Sequence, residues 1–196
     1  MKTFRAFGPT IGKSKLSKKI IQNINEYVDG ITISKRNDYS SKLASQIKNE
    51  IKLSSIFIKK NISKELIKNI RDYLLKSDIK KIKEIKIINV WVVKQLKNEY
   101  NPVHYHEGQL SGVGYLKIPK NMNQNKLVKN KKNMTNGTID FINGQKNFLS
   151  KSIYNINPKL GDLVIFPNYL MHTAYPFNID GERRSFSFNV KISFKK

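Results

Sequence analysis

The chain has 196 residues, with 37 Lys or Arg against 14 Asp or Glu, a formal net charge of +23. That length and a 39% hydrophobic content suit one globular domain with a buried core. No apolar run approaches the roughly 18–20 residues of a membrane span. Cysteine is absent, which excludes disulfides and thiolate-held zinc and leaves His, Asp and Glu as metal ligands.

The N-terminus lacks the apolar core and small-residue cleavage site of a secretory signal, and a cytoplasmic location is expected. A charge this basic suits a nucleic-acid or anionic-surface binder. The lysines, however, are spread along the chain among Asn and Ile, and the one dense run, residues 126–132, has no aromatic interleaved for base stacking. A solvated basic surface that steers anions is the simpler expectation.

Residues 1–12, with Gly8-Pro9, read as an irregular or extended lead-in. Residues 13–29 place Leu16, Ile20, Ile24 and Tyr27/Val28 at helical spacing, with Gly30 as a stop. The spacing of Leu43, Ala44, Ile47 and Ile51 predicts a second helix over 39–53, capped by Asn37 or Asp38. A third is predicted over 63–77, with Ser63 as N-cap, an Ile62/Ile67 staple, and Leu66, Ile70 and Leu74 on one face. The pattern then changes. Residues 84–95 carry β-branched side chains on both faces and Trp91 among them, as in a strand buried on both sides. Shorter strands are expected at 103–106, 111–118, 138–142, 162–166 and 183–194, with a polar, basic excursion at 120–136. The expected architecture is mainly β: a jelly-roll barrel or sandwich over 84–194, preceded by a helical region over 1–80, in a single domain.

Two of only three histidines, His104 and His106, sit two residues apart in Asn101-Pro102-Val103-His104-Tyr105-His106. In extended chain both imidazoles point the same way, which is how a transition-metal site begins. An isolated His-x-His is also an ordinary polar pair at a loop edge; His172, after the apolar strand that Pro167 closes, supplies the third nitrogen donor. Downstream, Arg183-Arg184-Ser185-Phe186-Ser187-Phe188 puts Arg183, Ser185 and Ser187 on one face and Arg184, Phe186 and Phe188 on the other. A guanidinium beside a hydroxyl, near a metal, suits a small dicarboxylate that chelates the metal with its other end.

As an ordered set, these stretches resemble the iron(II)- and 2-oxoglutarate-dependent oxygenases. They include Trp91, residues 101–106, Leu110-Ser111-Gly112-Val113, Tyr115-Leu116, residues 137–141, Gly161-Asp162 to Pro167, His172 and Arg183-x-Ser185-x-x-Phe188-Asn189. The likeness is closest to a group of small oxygenases often encoded by phages and bacteria. It implies a double-stranded β-helix holding Fe(II), with His104 and His172 as ligands and 2-oxoglutarate as co-substrate. Arg183 and Ser185 would grip the far carboxylate, and Tyr115 would hydrogen-bond it. Where the superfamily has a carboxylate ligand, this chain has His106. The third position is therefore open between His106, which is favoured, Glu107 and water. Trp91 and Asn89 share a strand face, and Trp91 reads either as pocket wall or as core.

The activity implied is decarboxylation of 2-oxoglutarate coupled to hydroxylation of a protein side chain, a nucleotide or a small molecule. Two alternatives compete with it. A cupin-type dioxygenase uses three histidines and no keto acid, but usually has a glutamate where this chain has Leu110. A basic nucleic-acid-binding module would leave the histidines structural.

Overall fold

Among the described residues the elements run β1 (Gly12–Lys15), α1 (Lys18–Asp29), β2 (Asn49–Lys52), α2 (Ser55–Asn61), α3 (Ser63–Lys76), β3 (Ile82–Gln95) and β4 (Asn101–His104). They continue as β5 (Leu110–Lys117), β6 (Ile139–Ile142), β7 (Ile153–Ile156), β8 (Asp162–Pro167), β9 (Met171–Ala174) and β10 (Arg183–Phe194). This computed structural model describes residues 8–32, 34, 37–40, 43, 45–122, 135–148 and 151–195. Most of the expected excursion, including the basic run, lies outside the described residues, as do residues 1–7 of the lead-in and Ala44. No helix of the described residues is long and apolar enough to cross a membrane.

β3 and β10 form the spine, paired antiparallel along nearly their whole lengths. Around them a six-stranded sheet runs β1-β8-β5-β10-β3-β2, and a four-stranded sheet runs β4-β9-β6-β7. This is the jelly-roll architecture expected. Alternation along β10 assigns its two faces as predicted. Phe186, Phe188 and Val190 join the core beneath the helices, while Arg183, Ser185 and Ser187 line the cavity between the sheets. Across from them, Gly112 and Gly114 of β5 are the register partners of Phe188 and Phe186. The rings lie so close over the glycines that a β-carbon at either would come within 2.3 Å of a phenyl atom.

The N-terminal third is less helical than expected. Residues 13–15 are not the start of α1 but strand β1, whose Lys13 and Lys15 both pair with the Asp162 carboxylate (2.9 and 2.6 Å). Ser17 is the real cap, its hydroxyl accepting from the Ile20 N–H, and Gly30 closes the helix on the Glu26 carbonyl. Among the described residues the helix predicted over 39–53 does not form. Asp38 closes a local turn on Ser40 instead of capping a helix, and residues 49–52 pair with β3 as β2. Its apolar residues serve two different cores: Ile51 packs under the helices, whereas Ile47 packs with Trp91 and Val93 on the opposite side. α3 matches its predicted span, but Ser63 is not its cap. The Ser63 hydroxyl donates to the Lys59 carbonyl of the preceding helix α2. β3 is buried on both faces only over residues 90–93; its first half leaves Ile88 exposed.

The glycine–phenyl contacts give a direct test. Gly114→Ala must displace the Phe186 ring, and overpacking of this kind costs about 1–3 kcal/mol. Urea unfolding should show that loss, whereas an unchanged midpoint would mean the ring relocates freely.

Candidate metal centre and acid-binding pocket

His104 ends β4 and His172 lies in β9, and the two are register partners across the four-stranded sheet. Residues opposite one another in an antiparallel pair project from the same face, so both rings enter the cavity. β9 was not predicted. Strand β4 also ends at His104, earlier than expected, so His106 is positioned from outside the ladder. Its backbone N–H donates to the Asn168 carbonyl (3.1 Å), and the Asn168 amide donates back to its carbonyl (3.0 Å). One ring nitrogen from each of His104, His106 and His172 lies within 4.8 Å of the others. The Nε2 atoms of His106 and His172 are 3.1 Å apart.

Two backbone carbonyls set the tautomers. His104 Nδ1 lies 2.7 Å from the Pro102 carbonyl oxygen, and His172 Nδ1 lies 2.9 Å from that of Leu170. A carbonyl only accepts, so each Nδ1 carries the hydrogen and each Nε2 presents a lone pair. Burial lowers the pKa of all three rings, His106 to about 3, and the neighbouring imidazoles lower those of His106 and His172 further. Three neutral imidazoles with ring nitrogens this close together suit a cation and repel additional protons. The ring of Phe166 packs edge-on to His172 at 4.8 Å, and Phe141 lies 5.6 Å from it, walling this side against water. Glu107 stands outside the nitrogen cluster, exposed at the cavity mouth.

The same cavity, about 390 Å³, reaches Arg183, Ser185 and Tyr115. Arg183 is 3% exposed, and Ser185 is the register partner of Tyr115. The Arg183 guanidinium donates through Nη1 to the Gly137 carbonyl (2.6 Å) and through Nη2 to Gln95 Oε1. Among the described residues its Nε hydrogen has no partner, nor does the Tyr115 hydroxyl, although both atoms are buried. Burial pushes the Tyr115 phenol up to about 12, so it remains a donor at neutral pH. Two unpaired buried donors, one cationic, are costly without an acceptor. A carboxylate is the acceptor that fits.

Sequence reasoning did not find Gln95. This fully buried side chain bonds Arg183, and its Nε2 reaches the Glu99 and Tyr175 carbonyls, tying the guanidinium to two loops. Its only signal is a polar residue at the end of an apolar strand. Arg184 points the other way, as alternation requires, and pairs with Asp29 at 2.7 Å and Glu182 at 2.5 Å. Trp91 is both core and wall: it is 3% exposed, packs with Ile47 and Val93, and lines the cavity.

The buried imidazoles make stability depend on pH. Between about 3 and the ordinary value of 6.5, His106 binds more protons unfolded than folded, so stability falls as pH drops through that window. The thermal midpoint of metal-free protein should fall from pH 7 to pH 4, and His106→Phe should flatten that slope. Equal slopes for the two proteins would contradict the burial.

No curated protein matches the chain in sequence. Its structure is similar to viral collagen prolyl hydroxylase from Paramecium Bursaria Chlorella virus-1, in a 2-oxoglutarate complex, with TM-score 0.58 and 16% identity over 94% of this chain and 96% of that one. It is also similar to HygX from Streptomyces hygroscopicus with nickel and 2-oxoglutarate bound (TM-score 0.58, 10% identity, 95% and 83% covered). A third is a Trichoplax adhaerens prolyl hydroxylase in complex with a hypoxia inducible factor peptide fragment (TM-score 0.54, 13% identity, 94% and 83% covered). At these identities the likeness establishes the fold. The sequence profile of the 2OG-Fe(II) oxygenases matches residues 89–189, from Asn89 through every histidine to Asn189. The chain belongs to the 2OG-Fe(II) oxygenase family.

Proposed function

We propose that His104, His106 and His172 hold Fe(II), that Arg183, Ser185 and Tyr115 hold the far carboxylate of 2-oxoglutarate, and that the enzyme hydroxylates a peptide side chain. The observation that carries this reading is one cavity containing three convergent imidazoles together with two buried donors lacking an acceptor. The peptide substrate is supported by the structural relatives described as collagen and hypoxia-factor prolyl hydroxylases.

Bound Fe(II) with 2-oxoglutarate supplies an oxidation in which CO₂ is lost, one atom of O₂ enters succinate and the other converts a substrate C–H into C–OH. The protein's part follows from its own side chains. The Pro102 and Leu170 carbonyls hold two rings in the metal-binding tautomer, so no proton need be displaced from Nε2. Replacing a family carboxylate with His106 leaves the ligand set one negative charge short. Gln95 and the Gly137 carbonyl orient the Arg183 guanidinium. The guanidinium, the protonated Tyr115 and the Ser185 hydroxyl together form a polar end wall. Phe141 and Phe166 exclude water beside the metal position.

A three-histidine cupin mechanism without keto acid would leave the buried Arg183 without an anion. Anaerobic titration with Fe(II) and 2-oxoglutarate should produce the visible charge-transfer band of a metal-chelated keto acid. Arg183→Ala should raise the 2-oxoglutarate concentration needed by at least about 10-fold, because losing a buried charged hydrogen bond costs about 1.5–3 kcal/mol. His106→Ala should weaken Fe(II) binding by at least about 10-fold in equilibrium dialysis, more than Glu107→Ala. Wild-type affinity in Arg183→Ala would remove the keto acid from this end of the cavity, and wild-type metal binding in His106→Ala would leave only two protein ligands.

A further inference from the structure

The chain carries 37 cationic and 14 acidic side chains, yet among the described residues the cavity is lined by one of each. The cation is Arg183, deeply buried and directed to the co-substrate carboxylate by the reading above. The acid is Glu107, exposed at the mouth. No described lysine lines the cavity. Among the described residues, an anionic group entering beside the histidines would therefore find no cation but Arg183 in the cavity wall.

What the mouth does offer is π-faces and a carboxylate. Trp91 lies between Tyr39 and His106, with ring centroids 5.7 Å from each. Tyr105, 70% exposed, lines the same mouth. Glu107 is close enough to Tyr39 to add to the effect of burial in raising its phenol pKa. The Tyr39 ring already engages one cation, the Lys52 ammonium 5.5 Å from its centroid. Indole and phenol faces beside a carboxylate that has no ion-pair partner among the described residues are a donor set for ammonium or guanidinium groups.

We propose that this cavity selects a basic side chain, lysyl or arginyl, whose charged end is held by Glu107 and the Tyr39–Trp91 wall while a carbon of its aliphatic stem is hydroxylated. The proposal rests on the oxygenase reading of the histidines and names its substrate class. The reaction is the one already balanced above, with a stem C–H becoming C–OH and the charged nitrogen unchanged. The net +23 charge does not preclude this, because exposed charges are screened beyond about 8 Å at physiological salt.

Trp91 is the only tryptophan in the chain, so its emission reports occupancy of the mouth directly. The experiment titrates anaerobic protein, loaded with Fe(II) and 2-oxoglutarate, with short blocked peptides centred on Lys, Arg, norleucine, Glu or Pro. N-acetyl-lysine methylamide and a single-stranded oligonucleotide complete the set at physiological salt. The Lys or Arg peptide should bind at least about 10-fold tighter than the norleucine, Glu and Pro peptides, as one retained ion pair with cation–π support predicts. A peptide that outbinds the blocked amino acid identifies a polypeptide source; equal binding identifies a free amino acid, and both support the charge selection. Glu107→Gln should reduce the preference for Lys over norleucine by about 10-fold, and Glu107→Lys should turn it towards the Glu peptide. Norleucine or Pro binding as tightly as Lys would overturn the proposal. So would the oligonucleotide being the tightest ligand, or a preference that survives both Glu107 variants. The charge-transfer band, recorded in the same samples without peptide, separates the two failures. A missing band counts against the cofactor assignment, whereas a band without charge preference counts against this proposal alone.

Discussion

The pairing of β4 with β9 sets His104 opposite His172, and the chemistry proposed depends on that register holding. A slip of one residue would turn either ring to the outer face of the sheet, because side chains alternate along a strand. Two local hydrogen bonds then refine what the register positions. Each of these rings donates to the carbonyl two residues before it, so orientation and tautomer are set locally in the chain. His106 lacks that local device and is placed instead by the two bonds between its backbone and Asn168, in the turn between β8 and β9. The convergence is thus built mainly from backbone geometry, with the Asn168 side-chain amide supporting His106.

The opposite end of the cavity is built differently. Arg183 opens β10, and strict alternation sends it inward while Arg184 is drawn outward to Asp29 and Glu182. Two adjacent arginines therefore do unrelated work: one anchors helix α1 to the sheet, and the other supplies a buried charge. The burial is sustained by Gln95 and the Gly137 carbonyl, which satisfy two of the guanidinium's nitrogens and leave the third without a partner among the described residues. Desolvation lowers the Arg183 pKa, but a guanidinium stays charged throughout the accessible range, so an anion there gains unscreened attraction.

Much of this was legible in the residues, and the failures have physical causes. Strand β10 was read at its observed limits because aromatic and β-branched residues alternate with polar ones from Ser185 onward. Strand β9 was missed because Met171-His172-Thr173-Ala174 is too short and too polar to show a period. The helix expected over 39–53 was suggested by a spacing of four between Leu43, Ile47 and Ile51. Such spacing implies one face, whereas Ile47 and Ile51 serve cores on opposite sides of the sheet. The free edge of β3 offered pairing that the local spacing could not anticipate. Gln95 was illegible because its importance comes entirely from partners 4, 80 and 88 residues away.

The central claim is that three imidazoles meet on one ferrous ion with Arg183 at the other end of a bound keto acid. A crystal structure grown anaerobically with Fe(II) and 2-oxoglutarate tests it most directly. The account predicts an anomalous peak ligated by one ring nitrogen from each of His104, His106 and His172, and a carboxylate on the Arg183 and Tyr115 donors. Iron bound through Glu107 in place of His106, or a keto acid lying away from Arg183, would contradict it.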